Sequence, residues 1–307
     1  MQKVTKVFLL LACGAIFASG MFSSCKKSSN NNNNNLPPIG GYNSSNDVAA
    51  SNLMAHWTFD NTNNEVISST APTKVQGASF VAGKKGQALS LNNGYLAFPS
   101  IPNLNTVMQS FTVSAWVKVA INGTTVSTIF ALTETTATQT DWNNGPIEMY
   151  VETAQPITRG DTIDLHTAFG SFVSGAWLHG DNINDYGVAG TDFQYVIAKP
   201  TDWIHYVAIY DASTSKIQIY ANGNLVSNKN FELRKDGSGN PLGALSYPTP
   251  TQVLIGTFAN ANSGYPGIAN QSWQGFLTGS IDELRVYNKA LAASDISALY
   301  QLESAGR

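Results

Sequence analysis

The sequence predicts an all-β domain of two antiparallel sheets packed face to face, closed by one short helix at the C-terminus. Three observations carry that expectation. From Phe111 to Val119, Phe111, Val113, Ala115, Val117 and Val119 alternate with Thr112, Ser114, Trp116 and Lys118, the two-residue period of a strand with one buried face. Asn222-Gly223 stands between Ile217/Ile219 and Leu225/Val226, and a two-residue hairpin turn of that kind needs positive φ at both central positions. Helical periodicity appears only after Ala290, with Ser294 as the expected N-cap and Ile296, Leu299 and Tyr300 turned inward. Short strands bounded by Gly, Pro and Asn turns make a sandwich, and neither an internal repeat nor a second domain is signalled.

At the start of the chain, Lys3 and Lys6 precede an apolar run from Val7 to Phe22, which Ser23, Ser24 and Cys25 close. This is the layout of a secretory leader, and it is too short for a membrane span. The stretch FSSCKK resembles the lipoprotein-processing box of Bacteroidetes-type bacteria, in which the cysteine becomes the acylated first residue. Cys13 is the rival. Choosing it would cut the hydrophobic region to about six residues, below the usual minimum, and leave GAIFASGMF at the mature N-terminus. The reading is therefore a lipoprotein signal peptide over 1–24, lipidation at Cys25, an Asn-rich flexible tether over 25–47, and one globular domain over 48–303. The tether expectation rests on six successive asparagines and the absence of apolar periodicity. With both cysteines so disposed, no thiol is left for a disulfide, a thiolate metal site or a nucleophile.

Of the 307 residues, 17 are basic and 20 acidic. Setting aside Lys3 and Lys6 leaves 15 basic against 20 acidic residues, and the basic ones are scattered. That distribution lacks the electrostatic footprint of a nucleic-acid binder. A low charged fraction, rich instead in Asn, Thr, Ser, Gly and aromatics, suits a secreted β-protein that hydrogen-bonds neutral ligands. Lipid anchoring would place it in the cell envelope, at an outer membrane, facing periplasm or cell surface.

Five tracts share one pattern: LMAHWTFD from Leu53 to Asp60, GQALSL from Gly86 to Leu91, FTVSAWV from Phe111 to Val117, WIHYVAIYD with KIQIYANGNL from Trp203 to Leu225, and GSIDELRVYNKAL from Gly279 to Leu291. In order and spacing these resemble the laminin-G-like, concanavalin A-like lectin/glucanase superfamily. The resemblance covers about Leu53 to Tyr300 and implies a jelly-roll sandwich whose first and last strands pair. It speaks to fold far more than to function, since one superfold hosts many activities. The middle, Glu134 to Pro200, exceeds the family pattern and reads as long loops over a sheet.

Glucanases of this superfamily carry Glu-x-Asp-x-Glu on one strand. The nearest match here is Glu148-Met149-Tyr150-Val151-Glu152. Glu148 and Glu152 would share a face about 13 Å apart along the strand, whereas retaining hydrolysis needs carboxyls about 5–5.5 Å apart, and Tyr150 stands where the enzymes have an aspartate. The expectation is two solvated glutamates beside a packed tyrosine, and no catalysis. Asp161, Asp164 and His166 read as turn aspartates and a surface histidine, while His56 and His205 read as packed or cross-strand hydrogen-bonded residues. No nucleophile elbow and no phosphate loop occur.

The resemblance also implies a structural calcium ion, for which Asp60 and Asp282 occupy matching positions; calcium takes an all-oxygen shell. Sugar binding needs exposed aromatics flanked by polar donors. Three groups fit that description: Trp142 with Asn143 and Asn144; Trp177 with His179, Asp181 and Tyr186; and Trp273. The resulting expectation is a non-enzymatic, lectin-like carbohydrate-binding module whose partner is a polysaccharide or glycan. A laminin-G-type protein-adhesion module and a divergent glycoside hydrolase stand as alternatives. Convergence of two carboxyls and an aromatic on one face separates the last from the rest.

Overall fold

The computed structural model describes residues 36–153, 162–188 and 190–307. The strands, in order, are β1 (Leu53–Trp57), β2 (Lys74–Ala82), β3 (Gln87–Phe98), β4 (Phe111–Val119), β5 (Val126–Thr133), β6 (Ile147–Val151), β7 (Thr162–Ile163) and β8 (Leu165–Val173). They continue with β9 (Ala176–Ile183), β10 (Ile197–Ala198), β11 (Ile204–Asp211), β12 (Lys216–Ala221), β13 (Asn224–Leu225), β14 (Gln252–Ile255), β15 (Gln274–Gly275) and β16 (Leu277–Tyr287). One α-helix, α1, spans Ala293–Ser304.

Hydrogen bonding runs unbroken in the order β13-β12-β11-β4-β16-β3-β14-β5-β6-β8-β9, with β1 on β16 and β2 on β3. The long strand β3 makes the closure. Its Leu89–Gly94 stretch pairs with β16, and its Leu96–Phe98 stretch pairs with β14, so one ribbon serves both layers. On the far side β12 meets β8 and β9. Between the layers lies a core that includes Trp57, Phe98, Phe130, Met149, Phe169, Tyr206 and Tyr210. Burying a side chain of this size contributes roughly 1.5–3 kcal/mol, so the sandwich stands on apolar packing. The architecture is the predicted jelly roll, with β1 paired to β16 as expected.

Several local readings hold. Asn222 and Gly223 have φ of 51° and 80°, the turn that the Asn-Gly pair demands. His56 Nε2 meets Glu283 Oε2 at 3.0 Å, and His205 Nε2 meets Ser114 Oγ at 2.8 Å, both buried.

Other readings are corrected. The middle is not mainly loop: β6, β8 and β9 extend the second layer. Alternation is hidden there because loops cover the outer side as well, so Ile147–Val151 is buried at every position. Helix α1 starts one residue before Ser294, with Ala292 as a cap that makes no side-chain bond. Strand β16 carries a bulge between Asp282 and Arg285. Glu283 takes φ of 46°, an irregularity that re-aims neighbouring side chains. Leu284 and Val286 then join Ile281 in the core, while Glu283 and Arg285 turn to the opposite side.

There Arg285, fully buried, donates Nε to Glu303 Oε1 at 2.9 Å and also pairs with Glu283. Its remaining donors reach Asn46 Oδ1 at 3.0 Å and Ser45 Oγ at 3.2 Å. The outer side of β4 is consequently not solvated: Trp116 Nε1 donates to Glu303 Oε2 at 2.7 Å beneath α1.

The same network shortens the expected tether. Pro37 and Asn43 carbonyls accept from Arg307, Tyr42 Oη donates to Asp295, and Ser45–Asp47 forms a capped turn. Gly40, with φ of 59°, lies where a Cβ would stand 2.7 Å from that of Ala298, so only glycine permits the approach. Residues 37–47 belong to the folded domain because their polar groups are spent on its C-terminal end. The signal peptide over 1–24, Cys13, Cys25, the first part of the tether and Asp161 lie outside the described residues.

Candidate functional site

On β6, Ile147, Met149 and Val151 point into the core, which forces Glu148 and Tyr150 to the outer side of the sheet. Register continues that outer row. Glu148 faces Ala168 on β8, Ala168 faces Asp181 on β9, and Tyr150 faces His166. Glu148 and Asp181 are thus two strand spacings apart, about 9.5 Å between Cα atoms, with only the methyl of Ala168 between them. That small residue leaves the floor of a cavity of about 260 Å³, walled by Trp142, Asn143, Glu148, Tyr150, His179 and Asp181.

The 134–145 loop supplies the roof. Gln139 accepts from Glu134 N at 2.7 Å and donates to the Asp141 carbonyl at 2.8 Å, which fixes the turn carrying Trp142. The indole is backed edge-on by Trp273 at 4.9 Å and Phe258 at 5.7 Å. Tyr150 stands 5.5 Å from Phe258 and 4.4 Å from the His166 ring. The aromatic walls are therefore braced before any ligand arrives.

Charge in the cavity is uneven. Glu148 is 2% exposed, and neither of its oxygens has a hydrogen-bond partner. Burial, followed by the nearby Asp141 charge, pushes its carboxyl well above the usual range, because an unpaired buried charge is costly. Asp181 is the reverse case. His166 Nε2 lies 2.9 Å from Asp181 Oδ2, and Arg234 lies 3.5 Å from Asp181 Oδ1. The hydrogen bond from His166 holds the Asp181 carboxyl below its ordinary value. On its other side, His166 Nδ1 meets Glu152 Oε1 at 2.7 Å. Burial opposes charge on that imidazole, but its hydrogen bonds to Asp181 and Glu152 outweigh it and raise the His166 pKa. The cavity thus has at one end a carboxyl whose ionisation burial opposes and at the other a carboxylate braced by His166.

Of the residues read from sequence, Trp142, Asn143, His179 and Asp181 come together, and Trp273 backs the first of them. Asn144 does not take part. It is buried within the loop, donating to Thr140 Oγ1 at 3.0 Å, since the turn spends its amide locally. Trp177 lies outside the cavity lining, parallel to His179 at 6.1 Å and edge-on to Phe172. Tyr186 is placed elsewhere, against Phe231 at 5.2 Å, because it follows β9 on the way out of the sheet. Glu148 is buried rather than solvated, and His166 is a bridge rather than a surface histidine; sequence reasoning missed both, as well as Ala168. The alternation of Glu148 with the apolar Ile147 and Met149 was the available signal.

Asp60 and Asp282 converge on the turn between β2 and β3, but as amide acceptors. Asp282 Oδ2 accepts from Lys84 N at 2.7 Å and Lys85 N at 2.9 Å, its Oδ1 accepts from Glu283 N, and Asp60 Oδ1 accepts from Gln87 N at 2.7 Å. Burial pushes the Asp282 carboxyl up to about 7. Three of these four carboxylate oxygens therefore already accept backbone N–H groups, and among the described residues no group of three or more acidic, His or Cys side chains is gathered as a metal site. A second groove, carrying no charged side chain, is lined by Asn93, Asn122, Asn260, Asn262, Gln274 and Phe276 among others.

A family profile described as the concanavalin A-like lectin/glucanases superfamily matches residues 90–247. The chain belongs to that superfamily. Among solved structures, domain 4 of AbnA, a GH43 extracellular arabinanase from Geobacillus stearothermophilus in complex with arabinotriose, is 20% identical, covers 81% of this chain and 98% of its own, and superposes with a TM-score of 0.47. The botulinum neurotoxin serotype C1 binding domain is 12% identical, with 83% and 52% coverage and a TM-score of 0.50. The serotype D ligand-binding domain in complex with N-acetylneuraminic acid is 14% identical, with 84% and 52% coverage and a TM-score of 0.49. The chain spans about half the length of these toxin domains. No curated protein matches its sequence.

Proposed function

We propose that the chain is a carbohydrate-binding module of the cell envelope, held to its membrane by acylated Cys25, whose glycan sits in the cavity roofed by Trp142. The observation that carries this reading is the convergence of a braced Trp142 and Tyr150 with Glu148, His179 and Asp181 around one small cavity. Sugars present apolar ring faces edged by hydroxyls, and such a site supplies a flat aromatic surface with acceptors and donors at its margin. Binding proceeds without turnover. Glu148, whose carboxyl is raised by burial, and Asp181, whose carboxyl His166 holds low, converge with Trp142 on one face, which favours glycoside hydrolysis as the second reading. A general base works best with a pKa near the working pH, however, and Asp181 is pushed the other way by His166.

The test is a glycan panel probed with the purified chain, with Trp142→Ala as control and reducing-end release measured on every bound glycan. Retention of a glycan that Trp142→Ala loses supports the reading. Absence of any retained glycan overturns it, and release of sugar lost in Glu148→Gln would replace it with the hydrolase. Detergent partitioning of Cys25→Ser against the unaltered chain tests the anchor.

A further inference from the structure

Glu148 sits at the end of the cavity with nothing to answer its charge. It is buried, both oxygens lack partners, and its side chain forms part of the cavity wall. The charged groups near it do not help. Asp141 and Asp181 are acidic, Glu152 is turned to His166, and the two nearby cations, His166 and Arg234, are both engaged with Asp181. Burial lowers the His179 pKa and so disfavours a charge there. A carboxyl in that position either stays protonated or acquires a cation from outside. Beside it stand the faces and edges of Trp142 and Tyr150, and aromatic rings next to acidic oxygens form a cage for an organic cation.

We propose that the cavity selects a sugar bearing a free amine, a de-N-acetylated hexosamine whose ammonium group lies against Glu148 while its ring packs on Trp142. This rests on the carbohydrate reading of the same cavity and names the ligand class. An ammonium supplies three donors, enough to reach both Glu148 oxygens; an amine that arrives neutral takes the Glu148 proton, and when it arrives as ammonium that proton leaves to solvent. The Ala168 methyl leaves the space between Glu148 and Asp181 in which a pyranose can sit. Asn143 and Asp181 then face its hydroxyls. A lysine side chain carries the same cation but no ring to cover the indole, which favours the sugar.

The test compares glucosamine tetramer, its N-acetylated counterpart, cellotetraose and a lysine-rich peptide by calorimetry, using the purified chain and Glu148→Gln. The expected result is a preference for the free amine of about tenfold or more, the size of one charge-assisted hydrogen bond, which falls to parity with cellotetraose in Glu148→Gln. Carbon-13 observation of the Glu148 carboxyl gives a second readout that needs no variant: it ionises on adding the amine and not on adding cellotetraose. Equal binding of amine and neutral sugar overturns the inference and leaves the carbohydrate reading standing. Peptide binding as tight as the glucosamine tetramer overturns the sugar assignment. Binding of none of the four overturns the inference, and the glycan panel then decides the carbohydrate reading separately.

Discussion

Replacing His166 with leucine tests whether the anion at the end of the cavity is held by the bridge described above. The substitution keeps a branched side chain of similar bulk and deletes both hydrogen bonds. The bond to Glu152, at 2.7 Å with a carboxyl only 12% exposed, is charge-assisted and contributes about 1.5–3 kcal/mol. The bond to Asp181, whose side chain is 56% exposed, is screened and adds about 0.2–1 kcal/mol. His166→Leu should therefore lose about 2–4 kcal/mol while the wild-type imidazole is charged. The pH dependence has a definite sign. A histidine whose folded pKa is raised contributes its stability in full below the unfolded value, near 6.5, and loses it as pH rises through the folded value. At pH 9 the neutral ring can donate to one carboxylate only, so the difference should shrink to about 1 kcal/mol. Urea denaturation at pH 5.5 and pH 9, with m-values compared, measures both numbers. An equal difference at the two pH values, or a loss under about 0.5 kcal/mol at both, would refute the reasoning.

Trp142→Ala should weaken glycan binding at least about tenfold by calorimetry, as expected for a central aromatic anchor, whereas Tyr186→Ala, outside the cavity, should leave affinity within about twofold. Arg285→Met should cost about 3–5 kcal/mol in denaturant unfolding, since it leaves the buried Glu303 without its cation. Asp282→Ala, which frees the Lys84 and Lys85 amides, should lower stability by about 1–3 kcal/mol. EDTA should leave the melting temperature of the unaltered chain where it was.

Much of the sandwich was legible because its inner layer obeys simple periodicity. Phe111 to Val119, the Asn222-Gly223 turn and Ile204 to Asp211 each show one side to the core, and local pattern follows burial. Legibility failed wherever a second covering layer buried the outer side too. Ser114 and Trp116 look solvent-facing until α1 and Arg285 are laid over them, and Ile147–Val151 loses its alternation under the 134–145 loop. The candidate site was half readable. Trp142 and Asp181 announce themselves by residue type, but Glu148, Tyr150 and His166 acquire meaning only from register across β6, β8 and β9. Sequence spacing along one strand made Glu148 and Glu152 look like a failed catalytic pair. The relevant neighbour was Asp181, more than thirty residues away and two strands across.

The most direct measurement is a crystal structure of the chain with its bound oligosaccharide. Density for a sugar ring against Trp142, with one edge toward Glu148 and the other toward Asp181, is the predicted result. A sugar seated instead in the amide-lined groove of Asn93, Asn260 and Asn262, with the Trp142 cavity vacant, would contradict the account.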